Sequence, residues 1–245
     1  MVSCKFFNFR KLYMSYQNSP KHLPPLIAFI GCDGSGKSTL SLEITSALSK
    51  IRPTQRCYLG QGSGNIGRRI REIKYIGPIL DRVIEKKATT ARKKGNKIPG
   101  VLTALVIFLF SCIRYYNFKK MTKARQNGVL VVTDRYPQTT IYGFYDGPGL
   151  SAAHTTNWFI SKLVQWEYKL YDRMASVKPD IIFRLNIDVD TAFARKQDHD
   201  YELLKAKVEV TPKLSFRGAY IVDVDATLPY EEVYQIVWNM IKDII

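Results

Sequence analysis

Short apolar runs alternate along this chain with longer stretches of helical spacing. Leu26–Ile30 is uninterrupted and apolar, with Pro24-Pro25 before it and Gly31 after it, as in a strand buried on both faces. From Thr39 to Lys50, Leu40, Ile44, Ala47 and Leu48 recur on one side of a helix. Gln55–Leu59 is a weaker second strand, followed by a flexible loop over Gly60–Asn65. Ile66–Lys87 has helical period, with a kink at Gly77-Pro78. Ala88–Pro99 is a basic linker. Val101–Gln126 predicts a long helix closed by Asn127-Gly128. Strands follow at Val129–Thr133, Asp180–Asn186 and Tyr220–Val224. Helices are expected over Thr155–Met174, after the Asp180–Asn186 strand through Arg195, over Tyr201–Val210 and over Pro229–Ile245. Strands separated by helices imply a five-stranded parallel sheet covered on both sides, an α/β/α sandwich.

Between the first strand and the first helix lies Gly31-Cys32-Asp33-Gly34-Ser35-Gly36-Lys37-Ser38-Thr39. This is the pattern G-x-x-x-x-G-K-[ST] in its required strand–loop–helix context. The glycines let consecutive N–H groups turn toward phosphate oxygens, and the helix adds its positive end. Lys37 is placed to reach the β- and γ-phosphates and the Ser38 hydroxyl to ligate Mg2+. Residues Asp33 to Thr39 are therefore the expected ATP-binding set. Asp33 would bias the loop or hold a water.

Composition changes the picture in one place. The chain of 245 residues is 46% hydrophobic, enough for one large α/β domain, and carries a net charge of +16. From Arg68 to Arg125 there are 16 lysines and arginines against 3 acidic residues. That segment would line an anionic acceptor site, lie on an anionic membrane surface or other polyanion, bind nucleic acid, or be a solvated helical face. Cys4, Cys32, Cys57 and Cys112 are too widely spaced for a zinc site or a disulfide framework, so reduced thiols in the cytoplasm are the expectation. Residues 1–24 are basic and aromatic without a continuous apolar stretch. They predict a disordered tail, not a secretory signal, ahead of a domain over 25–245, with Met14 an alternative start. Val101–Ile113 is apolar but too short at 13 residues to span a bilayer, and predicts a buried helix.

Val131-Val132-Thr133-Asp134-Arg135-Tyr136 supplies the second motif. An acidic residue at a strand end near the phosphate loop suits Mg2+ or its water shell, and an arginine beside it can fork onto phosphate oxygens. With these residues in view the chain resembles the thymidylate kinase family of P-loop nucleoside monophosphate kinases. The likeness runs over most of residues 26–243. It is carried by Gly31–Thr39, by Arg114 twenty residues before Asp134-Arg135-Tyr136, by Pro179–Asp190 leading to Ala192-Phe193-Ala194-Arg195, and by Ile221–Thr227. The resemblance implies a three-layer α/β/α P-loop NTPase fold with a short helical lid at about 196–216, and a homodimer. It implies that Arg114, Arg135 and Tyr136 bind the acceptor, that Arg195 reaches the transferred phosphoryl group, and that Lys37, Asp134, Arg135 and Arg195 are catalytic.

The departures concern the acceptor. The family's R-E-P-G-G-T-like loop is replaced by Leu59-Gly60-Gln61-Gly62-Ser63-Gly64, and Gln197–Phe216 has lysines at 205, 207 and 213 but no arginine. Tyr136–Leu150 is similar instead to a thymidylate kinase-like bacterial branch associated with surface polysaccharide genes. The expected reaction is transfer of the ATP γ-phosphoryl group to a phosphorylated small acceptor such as dTMP. A kinase for a sugar or glycan acceptor, and a non-catalytic nucleotide-binding module, are the alternatives. Among secondary residues, Glu167 is expected to be a solvated helix carboxylate or to meet a sugar hydroxyl, His199 to be a surface residue, and Phe144 and Tyr145 to stack on an acceptor or pack in the core. The expected location is cytoplasmic, at most peripheral to a membrane.

Overall fold

The computed structural model describes residues 23–60, 100–144, 146–152 and 154–245. The expectations for the tail at 1–22, for most of the loop after the second strand, for the helix at 66–87, for the linker at 88–99 and for Tyr145 lie outside the described residues.

Five strands form one parallel sheet in the order β2-β3-β1-β4-β5: β1 Leu26–Gly31, β2 Thr54–Tyr58, β3 Leu130–Asp134, β4 Ile181–Asn186 and β5 Ile221–Asp225. β1 is central and is covered on both sides, which is why all six of its residues are buried and its sequence is apolar without alternation. Its two faces still sort by parity. Ile27 and Phe29 pack with α1 (Lys37–Ser49) and α6 (Tyr230–Lys242). Leu26, Ala28 and Ile30 pack against α2 (Val101–Gln126) and α3 (Trp158–Ser176). This is the three-layer α/β/α arrangement of P-loop NTPases. From β1 the chain crosses first toward β2 and β3, then to the other side for β4 and β5. The carboxyl end of β1 therefore lies at the topological switch point, where open α/β sheets place their sites.

Element ends shift by a few residues for local reasons. α3 starts at Trp158 because the Asn157 side chain accepts from the N–H groups of Phe159 and Ile160, closing off Thr155 and Thr156. Pro229 stands just outside α6 as its N-cap. α4 (Val189–Arg195) and α5 (Tyr201–Val210) are capped by Asp188 and Asp200.

α2 corrects the expectation of a buried helix. Ala104, Ile107, Ser111, Arg114, Phe118 and Met121 recur every three or four residues on its inner face, while Leu102, Leu105, Leu109 and Tyr116 are exposed. The helix is long and apolar enough to cross a membrane, and about a third of its most apolar stretch, 33%, is buried. An apolar residue at nearly every position hid the amphipathic period. Its charges are also unequal: Arg114 is buried and Arg125 pairs with Asp180, leaving Lys119, Lys120 and Lys123 exposed.

Candidate active site

The phosphate loop leaves β1 at Gly31 and enters α1 at Lys37. Gly34 and Gly36 hold φ of +87° and +81°, a region that side chains rarely adopt, and a Cβ on Gly34 would lie 2.9 Å from the Ala192 carbonyl. Gly36 is the N-cap and offers no side chain, so the first-turn N–H groups of α1 are left for a ligand. Lys37 is 5% exposed and curls back until Nζ donates to the Cys32 carbonyl at 2.5 Å. Burial and the neighbouring Arg135 charge lower its pKa to about 8. Ser35 Oγ is buried without a partner among the described residues.

Across from the loop, Ser38 Oγ donates to Asp134 Oδ2 at 2.7 Å. Asp134 is 1% exposed at the end of β3, and its other oxygen, Oδ1, is buried without a partner among the described residues. An orphaned carboxylate oxygen beside a hydroxyl suits a hard cation, so these residues fit Mg2+. Sequence reasoning missed their neighbour. Arg56, on β2, donates to Asp134 Oδ2 at 2.7 Å and to Ser41 Oγ at 2.9 Å. No motif marks it; its only signal was an arginine inside an otherwise modest strand.

Arg135 follows Asp134 with φ of +71°, ending the strand abruptly while its N–H still bonds the Phe29 carbonyl. Its guanidinium donates to Asp33 Oδ1 at 2.8 Å and lies 3.6 Å from Asp146 Oδ2. Asp33 is a hub: Lys207 of α5 also pairs with it, and His199 Nε2 stands 4.0 Å away. Burial alone would raise its pKa, but Arg135, Lys207 and Lys37 outweigh that and hold the carboxyl well below its ordinary value. His199 is thus no plain surface residue, since it faces the phosphate loop.

Of the other expected residues, Arg114 meets Arg135 at Asp146, while Arg195 and Tyr136 lie apart. Arg114 is fully buried, with its guanidinium on Asp146 and, at 3.0 Å, on the Tyr171 hydroxyl. Arg195 is exposed and bridges the Ala226 carbonyl, at 2.9 Å, and the Gly34 carbonyl, at 3.4 Å, joining the end of α4 to the loop after β5 and to the phosphate loop. Tyr136 turns away from these groups. It is 1% exposed, its hydroxyl donates to the Val177 carbonyl, and its ring meets Phe118 and Phe216 in the core. Glu167 is fully buried, not solvated, and accepts from Ser111 Oγ and the Leu150 N–H, both at 2.7 Å. Phe144 is half-buried, with its carbonyl accepting from the Gln138 amide.

The fold and the loop define a P-loop protein of the kinase-like type. No family model matches the chain. It is 46% identical over 211 residues to the uncharacterized ATP-binding protein YghS of Escherichia coli (strain K12), covering 86% of this chain and 89% of YghS. It is 40% identical over 217 residues to the uncharacterized ATP-binding protein YghR of the same strain, covering 88% and 86%. The thymidylate kinase of Ehrlichia ruminantium (strain Gardel) is 25% identical over 228 residues, 88% of this chain and 96% of the kinase. The chain belongs to the family of YghS and YghR, and its likeness to thymidylate kinase is distant.

Proposed function

We propose that this protein binds ATP and transfers its γ-phosphoryl group to a phosphorylated small acceptor, in the manner of a nucleoside monophosphate kinase. One observation carries the reading: Lys37, the Ser38–Asp134 pair and Arg135 converge at the carboxyl ends of β1 and β3. The names of YghS and YghR support the donor, and the distant thymidylate kinase likeness supports the reaction class.

Such a transfer needs positioning and neutralised charge more than covalent chemistry. The uncapped N–H groups of α1 would receive phosphate oxygens, and Lys37 would exchange the Cys32 carbonyl for a phosphate oxygen. Ser38 and Asp134 would hold Mg2+, which supplies positive charge to the phosphates when bound. Arg135, desolvated but flanked by Asp146 and Asp33, keeps its charge at any working pH. Arg195, at the end of α4 where the lid would begin, would leave the Gly34 carbonyl to reach the transferred phosphoryl group.

The test is a thermal-shift panel of ATP, nucleoside monophosphates and phosphosugars, since a ligand that binds only the folded chain raises its melting temperature. ATP with one class of phosphorylated acceptor should stabilise the protein. Stabilisation by ATP but by none of the phosphorylated acceptors would leave a nucleotide-binding module, and stabilisation by phosphosugars as the one acceptor class would move the acceptor to a sugar.

A further inference from the structure

Arg114 and Arg135 come from different elements, α2 and the turn after β3, yet their guanidinium groups meet at one carboxylate. Arg114 holds Asp146 twice, through its Oδ1 and, at 2.8 Å, through its backbone carbonyl. Arg135 stands 3.6 Å from the second carboxylate oxygen and also bonds Asp33 of the phosphate loop. Two adjacent guanidinium groups, one of them with 0% of its side chain exposed, make a seat for an anion directly beside the phosphate loop. The chain fills that seat itself, with an aspartate whose side chain is 9% exposed.

The filling is built, not incidental. Asp146 holds φ of +63°, uncommon for a residue with a side chain. Its loop is laced from within. The Gln138 side chain is fully buried, donates to the Ile141 and Phe144 carbonyls and accepts from the Ile141 N–H. Gly147 follows at a point where a Cβ would fall 2.2 Å from the Ile141 carbonyl. Arg114 retains a buried Nε with no partner among the described residues, beyond its contacts to Asp146 and Tyr171.

We propose that Asp146 is the specificity-determining residue of the acceptor side, its carboxylate occupying the place where an acceptor phosphate would sit, so that a phosphorylated acceptor enters by displacing it. The inference rests on the phosphotransferase reading for the identity of the visitor; the seat is a feature of the geometry. Exchanging one anion for another gains little, so a lone phosphate group binds poorly. The remainder of the acceptor must supply the difference, which selects whole acceptors over free phosphate.

The test uses the full chain with its phosphate loop filled by Mg2+ and AMPPNP, and inorganic phosphate as the probe. Asp146→Asn keeps the shape and removes the charge. The variant should melt lower than wild type and recover as phosphate is added, with an apparent affinity at least about ten-fold tighter than wild type, the scale of one charge-assisted hydrogen bond. Adding Arg114→Lys should abolish the gain. Equal phosphate responses in wild type and Asp146→Asn, or a gain that survives Arg114→Lys, would overturn the proposal. Should Asp146→Asn not fold, amide exchange in wild type decides. Phosphate at a concentration that saturates the wild-type melting response should speed exchange at Ile141, Gly143 and Gly147 as Asp146 leaves its seat, and unchanged exchange there would overturn the proposal as well. Absent AMPPNP binding would instead sink the phosphotransferase reading, while the Arg114→Lys comparison would still locate the phosphate.

Discussion

Arg56 donates to the same Asp134 oxygen, at 2.7 Å, that accepts the Ser38 hydroxyl. The parallel register sets this up. Arg56 pairs with Val132, two residues before Asp134, so strand alternation turns both side chains to the α1 face of the sheet. The guanidinium thus sits where a divalent cation would share the carboxylate. Replacing Arg56 with Met should leave a buried charge whose hydrogen-bond partner among the described residues is the Ser38 hydroxyl, and should cost about 1–3 kcal/mol in the absence of metal, less than a fully buried pair because Arg56 is partly exposed. Mg2+ should restore much of the loss, and its half-saturating concentration in nucleotide binding should fall several-fold. Melting curves with and without Mg2+ read both effects; a Mg2+ dependence identical to wild type would show that guanidinium and cation do not compete.

Lys37→Met should remove transfer and spare the fold. Its ammonium contacts only the Cys32 carbonyl among the hydrogen bonds of the described residues, and methionine keeps a similar apolar stem in the buried position. Loss of a preorganised charge at the transferred group should lower kcat by about 10²–10³ or more. Circular dichroism checks the fold and single-turnover kinetics the rate.

The buried ammonium also makes nucleotide binding depend on pH. With a pKa of about 8 in the ligand-free protein, Lys37 is half neutral near that pH and mostly neutral above it. Phosphate oxygens favour the charged form, so ATP binding takes up a proton there, and affinity should weaken as pH rises from 8 toward 10. Calorimetry in buffers of different ionisation enthalpy should detect the uptake in wild type, and Lys37→Met should show none.

Asp33 ties the phosphate loop to both sides of the site through Arg135 and Lys207. Its folded pKa is depressed, so its contribution to stability is present above the unfolded value near 4 and is lost as pH falls below it. Asp33→Asn should therefore be less stable than wild type at pH 7 and should lose less on acidification. Releasing Lys207 should also loosen α5, seen as faster amide exchange across Tyr201–Val210.

Much of the fold was legible because burial writes itself into sequence. β1 is apolar at every position, and the glycine spacing before Lys37 has few other uses. Asp134 was legible as an acid closing an apolar strand. What stayed hidden was held by tertiary contact. Arg56 is one arginine in a strand, and only the register with β3 brings it to Asp134. Asp146 sits in a loop whose shape depends on the buried Gln138 side chain. Glu167 was misread because a carboxylate on a helix is ordinarily solvated, and nothing local announces Ser111 and the Leu150 N–H as its partners. Tyr136 was assigned by its place in a motif, whereas strand-end geometry sends Arg135 toward the phosphate loop and Tyr136 into the core.

The most direct measurement follows the γ-phosphoryl group itself. The full chain is incubated with Mg2+ and γ-labelled ATP, together with nucleoside monophosphates or phosphosugars, and the products are separated. Label should appear on one class of phosphorylated acceptor as a new phosphoanhydride or phosphoester, and Lys37→Met should abolish it. ATP bound by wild type with label released only as inorganic phosphate, at the same slow rate with and without every acceptor, would contradict a phosphotransferase.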